Sequence, residues 1–165
     1  LPSTLLGPVV DLKTVQRCNA LIDDALSKGA HLLCGGKADS TQMRATLLDG
    51  VTREMRIWHE ESFGPVKSVI RVNDEEEALA VANDSEYGLA AAVYSRDSAR
   101  AWNVAQNLQT GICHINGPTV HDEAQMPFGG CKSSGYGRFG GRAGIAEFTE
   151  LRWITMQTRP RELPF

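Results

Sequence analysis

Between Val66 and Ile115 the chain alternates element types in an order that few architectures accept. Val66 to Val72 is rich in β-branched residues and begins directly after Gly64-Pro65, where a strand loses little from proline's missing N–H. Asp74 and Glu77 fit a reciprocal helix cap, and Ala78, Leu79, Val81 and Ala82 predict the buried face of a helix reaching about Asn83. A strand of small residues follows from Gly88 to Tyr94. The next helix runs from Asp97 or Ser98 through Ala101, Trp102, Ala105 and Leu108 to a stop at Gly111, and a short strand covers Ile112 to Ile115. Strand, helix, strand, helix, strand is the signature of right-handed parallel crossovers. The expectation is an α/β fold with a parallel-rich sheet and flanking helices.

The flanking segments add to this frame. Val15, Cys18, Ile22, Ala25 and Leu26 recur at spacings of three and four, which predicts an amphipathic helix from Leu12 to Lys28 ended by Gly29. His31 to Cys34 reads as a strand. Thr46 to Val51 is an apolar run broken by the turn-prone Asp49-Gly50, and its type stays open. After Ile115 come a long loop from Asn116 to Arg142, a short helix from Ala143 to Phe148 and a closing strand from Leu151 to Gln157.

The 165 residues suffice for one sizeable core without disulfides. No apolar run approaches the roughly 18–20 residues of a membrane span, and the N-terminus lacks a signal-peptide pattern. A net charge of -3 with no large basic face argues against nucleic acid as the main partner. Cys18, Cys34, Cys113 and Cys131 form no C-x-x-C pair and no His-rich cluster joins them, so no metal site is expected and they read as reduced thiols of a cytoplasmic protein. The chain opens at Leu1 rather than Met, which suggests processing or a cut.

Eight of the 16 glycines fall between positions 117 and 144. Gly135-Tyr136-Gly137-Arg138-Phe139-Gly140 satisfies G-x-G-x-x-G by letter, but a dinucleotide loop must follow a strand directly and open a long helix, and Cys131-Lys132-Ser133-Ser134 is no strand. Cys131 stands where a nucleotide-hydrolase phosphate loop needs glycine before Lys132-Ser133. The plain reading is a turning loop, whose Lys132, Arg138 and Arg142 could meet a carboxylate or phosphate or form salt bridges within the protein.

Four ordered motifs carry a resemblance: Glu61-Ser62-Phe63-Gly64-Pro65-Val66; Asn83 with Tyr87-Gly88-Leu89-Ala90-Ala91; Gly111 with Ile115-Asn116; and Pro127-Phe128-Gly129-Gly130-Cys131-Lys132-Ser133-Ser134-Gly135. Together with Gly7-Pro8 near one end and Glu147-Phe148-Thr149-Glu150 near the other, they resemble the C-terminal part of the aldehyde dehydrogenase superfamily. The stretch from Asn116 to Glu123 before Pro127-Phe128 is similar to the branch that oxidises aromatic aldehydes such as salicylaldehyde, vanillin and benzaldehyde.

The resemblance implies a thiolate mechanism. A cysteine attacks the aldehyde, hydride leaves the thiohemiacetal for NAD or NADP, and water activated by a glutamate hydrolyses the thioester. None of the four cysteines here follows the family's Phe-x-x-x-Gly-Gln-x stretch, and the Glu-Leu-Gly-Gly segment is absent. The resemblance therefore implies a C-terminal piece without its own catalytic residues, inactive alone, with residues 1–147 belonging to the catalytic domain and 148–165 to an oligomerisation arm that adds a β-strand to a partner in a homodimer or homotetramer.

By the same resemblance Glu61 accepts hydrogen bonds from the nicotinamide-ribose hydroxyls, and Phe63 lies near the nicotinamide ring. Arg17 stands where the family often has a lysine near the cofactor ribose. His121 is a candidate contact for a ring hydroxyl of the substrate and Phe128 a candidate wall for its ring. Read from the residues alone, Glu60-Glu61 is a solvated pair beside a turn and Phe63 a core aromatic. The alternative to the enzyme is a stand-alone α/β module that binds an anion at the basic glycine loop, or one that pairs with other chains without catalysis.

Overall fold

The computed structural model describes residues 4–162 and divides the chain into two compact units, Leu1–Ser85 and Glu86–Phe165. In the first, helix α1 (Leu12–Ser27) is capped by Asp11, whose carboxylate accepts the Thr14 N–H at 2.8 Å. Beside it lie strands β1 (His31–Cys34), β2 (Thr46–Asp49) and β3 (Val66–Val69); the apolar stripe of Cys18, Leu21, Ile22 and Ala25 shares a buried core with Leu48 of β2 and Val66 of β3, while β1 is exposed throughout. Strand β2 is central, antiparallel to β1 and parallel to β3, with Thr46 opposite Val66 and Asp49 opposite Val69. Met55 and Ile57, beside and on the short helix α2 (Arg56–His59), close the core. The apolar run left open in the sequence is thus a strand as far as Asp49.

Helix α3 (Glu75–Asn83) begins as its cap predicts. Asp74 accepts the Glu77 N–H at 2.8 Å, and the Glu77 carboxylate reaches back to the Asn73 N–H at 2.7 Å, one residue before the cap. Its expected buried face is only half-buried: Ala78, Leu79 and Val81 are intermediate and Ala82 is exposed. Nothing in the described chain covers this stripe fully.

The second unit contains the expected crossover. Strand β5 (Ala90–Val93), helix α4 (Ser98–Asn107) and strand β6 (Ile112–Ile115) form a parallel pair with its helix, Ala90 opposite Ile112 and Val93 opposite Ile115. Asp97 caps α4 by accepting the Arg100 N–H. The strand expected from Gly88 to Tyr94 is split. Strand β4 (Tyr87–Gly88) pairs antiparallel with β7 (Cys131–Lys132), and the chain changes partners at Leu89. Among the described residues the strands sort into three small sheets, with two parallel and two antiparallel pairings.

The closing strand expected from Leu151 to Gln157 is not formed. This segment follows helix α5 (Gly141–Glu147) without assigned structure, with Leu151, Trp153, Ile154 and Met156 exposed. A strand needs a ladder partner, and none of the described residues supplies one. Residues 163–165 of the predicted arm, and residues 1–3 at the other end, lie outside the described residues. No described helix is long and apolar enough to cross a membrane, and no described cluster of side chains could hold a metal.

Candidate functional site

Two sites collect the predicted residues, one in each unit. In the first, the Glu61–Gly64 turn rests on helix α1. Ser62 is buried, and its hydroxyl lies 3.1 Å from both the Gly64 and the Val66 carbonyls, ahead of β3. The Ser62 carbonyl accepts the Arg17 Nε–H at 3.0 Å and the Cys18 thiol at 3.6 Å. Gly64 is required by this seat: a Cβ there would stand 2.5 Å from the Cys18 Sγ.

These bonds hold Phe63 in a left-handed conformation, φ 48°, that a bulky residue rarely adopts, with the residue 70% exposed. Phe63 is no core aromatic. The Arg17 guanidinium lies over the ring at 5.5 Å from its centroid. The two neighbouring glutamates differ sharply. Glu60 is captured by Arg56 through two hydrogen bonds of 2.6 and 2.8 Å, which hold its carboxyl below the usual carboxylate range. Glu61 is exposed and has no polar partner among the described residues.

In the second unit, a cleft of about 400 Å³ opens between Gly111–His114 at the start of β6 and the stretch from His121 to Phe128. The backbone of Gly129 passes so close to Gly111 that any side chain at 111 would collide with the Gly129 carbonyl. Phe128 is half-buried and locked to Phe139 by reciprocal main-chain bonds of 2.9 and 2.7 Å. The exposed His121 meets the His114 ring edge-on, centroids 5.3 Å apart, while its Nε2 lies 3.3 Å from Glu123 Oε1. At the mouth of β6, Asn116 (φ 55°) grips Ser95 from both sides, accepting its N–H at 2.9 Å and donating to its carbonyl at 3.0 Å.

The basic glycine loop does not form an anion cradle around Arg138. That guanidinium donates to the Gly130 and Gly137 carbonyls at 2.8 and 2.7 Å, and the Arg138 N–H donates to Glu147. The loop closes on itself. Burial pushes the Cys18 and Cys113 thiols up, away from the thiolate, and Cys131 donates to the Gln109 carbonyl at 3.1 Å.

The profile of the Aldehyde dehydrogenase family matches residues 1–154. The chain belongs to the aldehyde dehydrogenase family. It is 58% identical over 163 residues to a vanillin dehydrogenase of Pseudomonas fluorescens, covering 99% of this chain and 34% of that protein. It is 49% identical to a salicylaldehyde dehydrogenase of Pseudomonas sp. strain C18, covering 98% and 33% respectively. A crystal structure of a salicylaldehyde dehydrogenase from Pseudomonas putida G7 complexed with salicylaldehyde superposes with a TM-score of 0.90 at 50% identity, over 97% of this chain and 33% of that one. A Mycobacterium tuberculosis aldehyde dehydrogenase complexed with NAD+ gives a TM-score of 0.83 at 36% identity, over 90% and 32%. This aldehyde dehydrogenase chain thus spans about a third of the length of the relatives it matches.

Of the residues singled out in the sequence, Phe63 and Arg17 touch each other, Glu61 adjoins them, and Phe128 and His121 share the cleft of the other unit. Sequence reasoning missed His114, whose Nε2 is buried without a partner among the described residues, and the supporting Cys18 and Ser62. A polar ring inside the apolar run Ile112–Ile115 was the signal available for His114.

Proposed function

We propose that this chain supplies the nicotinamide-ribose contact and the aldehyde-entrance loop of an NAD- or NADP-dependent enzyme that oxidises aromatic aldehydes to carboxylic acids. The observation that carries the reading is the contrast at Glu60-Glu61. One carboxylate is bound by Arg56, while the next is left open beside an exposed, pinned aromatic ring. An acceptor-only group suits a ribose diol, and a fixed ring edge suits a neighbouring nicotinamide, so the residues fit the cofactor. The cofactor would supply the hydride acceptor; Glu61 would hold its ribose hydroxyls and Phe63 would restrict the ring beside them.

In the other unit, His121 and Phe128 line the aldehyde's path, His121 toward a ring hydroxyl and Phe128 as a wall. With Nε2 turned to Glu123, His121 offers its other ring nitrogen, or exchanges the Glu123 contact for the phenol. The nucleophilic cysteine and the base glutamate belong to segments outside these 165 residues, and the chain alone is inactive. Residues 148–165, among them the exposed Phe148, Leu151, Trp153, Ile154 and Met156, act as an arm that completes a partner subunit's sheet in a cytoplasmic homodimer or homotetramer.

The test places Glu61→Gln in the enzyme that contains this chain and measures cofactor affinity with vanillin, salicylaldehyde and benzaldehyde as substrates. A charge-assisted pair of ribose hydrogen bonds predicts about a tenfold or greater rise in the cofactor's KM. An unchanged KM removes Glu61 from the site.

A further inference from the structure

Helix α1 reaches the Ser62-Phe63-Gly64 turn through a side chain that touches backbone and ring together. The Arg17 Nε–H is committed to the Ser62 carbonyl at 3.0 Å, and the guanidinium covers the Phe63 ring at 5.5 Å. Phe63 needs such support. Its φ of 48° is strained for a bulky residue, and a residue so exposed has few packing neighbours to hold it. The Cys18 thiol and the Ser62 hydroxyl fix the backbone of the turn but do not define where the ring points. Arg17 reaches both, its Nε–H on the Ser62 carbonyl and its guanidinium over the ring. It also does not neutralise Glu61, two residues before Phe63, which keeps its carboxylate open.

We propose that Arg17 is a positioning residue: it clamps the Phe63 turn and sets the ring that borders the nicotinamide, and it makes no ribose contact of its own. The proposal rests on the reading of Phe63 as the cofactor's neighbour. It replaces the ribose role that the sequence resemblance implied for Arg17. A lysine at this position carries a compact point charge, without the extended guanidinium that spans the Ser62 carbonyl and the ring together.

The clamp itself is read in this chain by NMR. The Arg17 Nε–H proton is expected upfield through the Phe63 ring current, and Phe63→Leu abolishes that shift. In Arg17→Ala the Gly64 amide, which donates to the Ser62 hydroxyl at 3.4 Å, exchanges about five- to tenfold faster, while those of Leu21 and Ile22 keep their protection. Unmoved exchange at Gly64 overturns the clamp.

The link to the cofactor is read in the enzyme that contains this chain, by binding of NADH followed by fluorescence. Arg17→Ala and Phe63→Leu each weaken binding about fivefold, the double variant is no weaker than Phe63→Leu, and Arg17→Lys recovers only part of the loss. Additive losses overturn the proposal in favour of a direct Arg17 contact. A loss in Phe63→Leu with none in Arg17→Ala overturns positioning, whereas no loss in either variant overturns the cofactor reading of Phe63 even if the NMR clamp stands.

Discussion

Substituting Gly64 with alanine isolates one packing contact. Gly64 does not lie in the left-handed region, so alanine meets no backbone penalty there, and the obstacle is the Cys18 Sγ, 2.5 Å from the new Cβ. Ordinary non-bonded separation is roughly 3.5–4.0 Å, so the sulfur must retreat by about 1 Å or more. Cys18 is fully buried in the cluster with Leu21, Ile22 and Val66, and turning its thiol away gives up the bond to the Ser62 carbonyl. Overpacking of this kind costs about 1–3 kcal/mol. Cys18→Ala alone removes the sulfur and leaves a small void costing about 1 kcal/mol. The pair must therefore be non-additive: the double variant is expected to be about as stable as Cys18→Ala. Hydrogen exchange by mass spectrometry on peptides spanning residues 12–27 and 66–69 reports this unit alone. If the double variant loses the sum of the single losses, the contact between Gly64 and Cys18 is not what excludes a side chain at 64.

Two further outcomes are expected. Asp84 accepts from Arg53 at 2.7 Å and from the Trp58 indole at 3.0 Å, which together hold its carboxyl below the usual 3.8. Its contribution to stability is present above the unfolded value and disappears as pH falls through the lower folded value. Unfolding midpoints measured from pH 6 to pH 2 (about the span of carboxylate titration) should show an acid limb that flattens in Asp84→Asn; an identical limb in both proteins contradicts the assignment. His121→Ala, placed in the enzyme that contains this chain, should lower kcat/KM for salicylaldehyde and vanillin about five- to tenfold relative to benzaldehyde, and equal losses for all three remove the hydroxyl contact.

What could be read from the sequence was whatever repeats locally. The three-and-four spacing of Val15, Cys18, Ile22 and Ala25 gave α1 its range, and Asp74 and Asp97 marked the starts of α3 and α4. Helix α2 was missed because four residues show no period. Its first turn is capped from elsewhere, the Arg56 N–H donating at 2.8 Å to Asp24 on α1. The break at Leu89 was equally hidden, since it depends on Cys131 arriving beside Gly88 from 43 residues away.

The candidate site followed the same rule. Glu61 and Phe63 were named from a contiguous motif, but nothing local told Glu60 from Glu61; Arg56, one turn earlier, makes the distinction. The partners of Arg17, Ser62 and Phe63, lie on a distant turn, so nothing around position 17 pointed to them. The segment from Leu151 to Gln157 has the composition of a strand, but a strand's hydrogen bonds belong to its neighbour, and its own residues cannot show which chain provides one.

The contact between Gly111 and Gly129 bears on how selectivity can drift. The loop behind Phe128 meets the start of β6 main chain to main chain, with no side chain interposed. The distance across that seam is set by peptide groups, which mutation elsewhere leaves in place. Residues 121, 126 and 128 line the cleft from the loop so anchored. If the cleft is the aldehyde's path, as proposed, they can exchange size and polarity one at a time while the frame that displays them stays as it is.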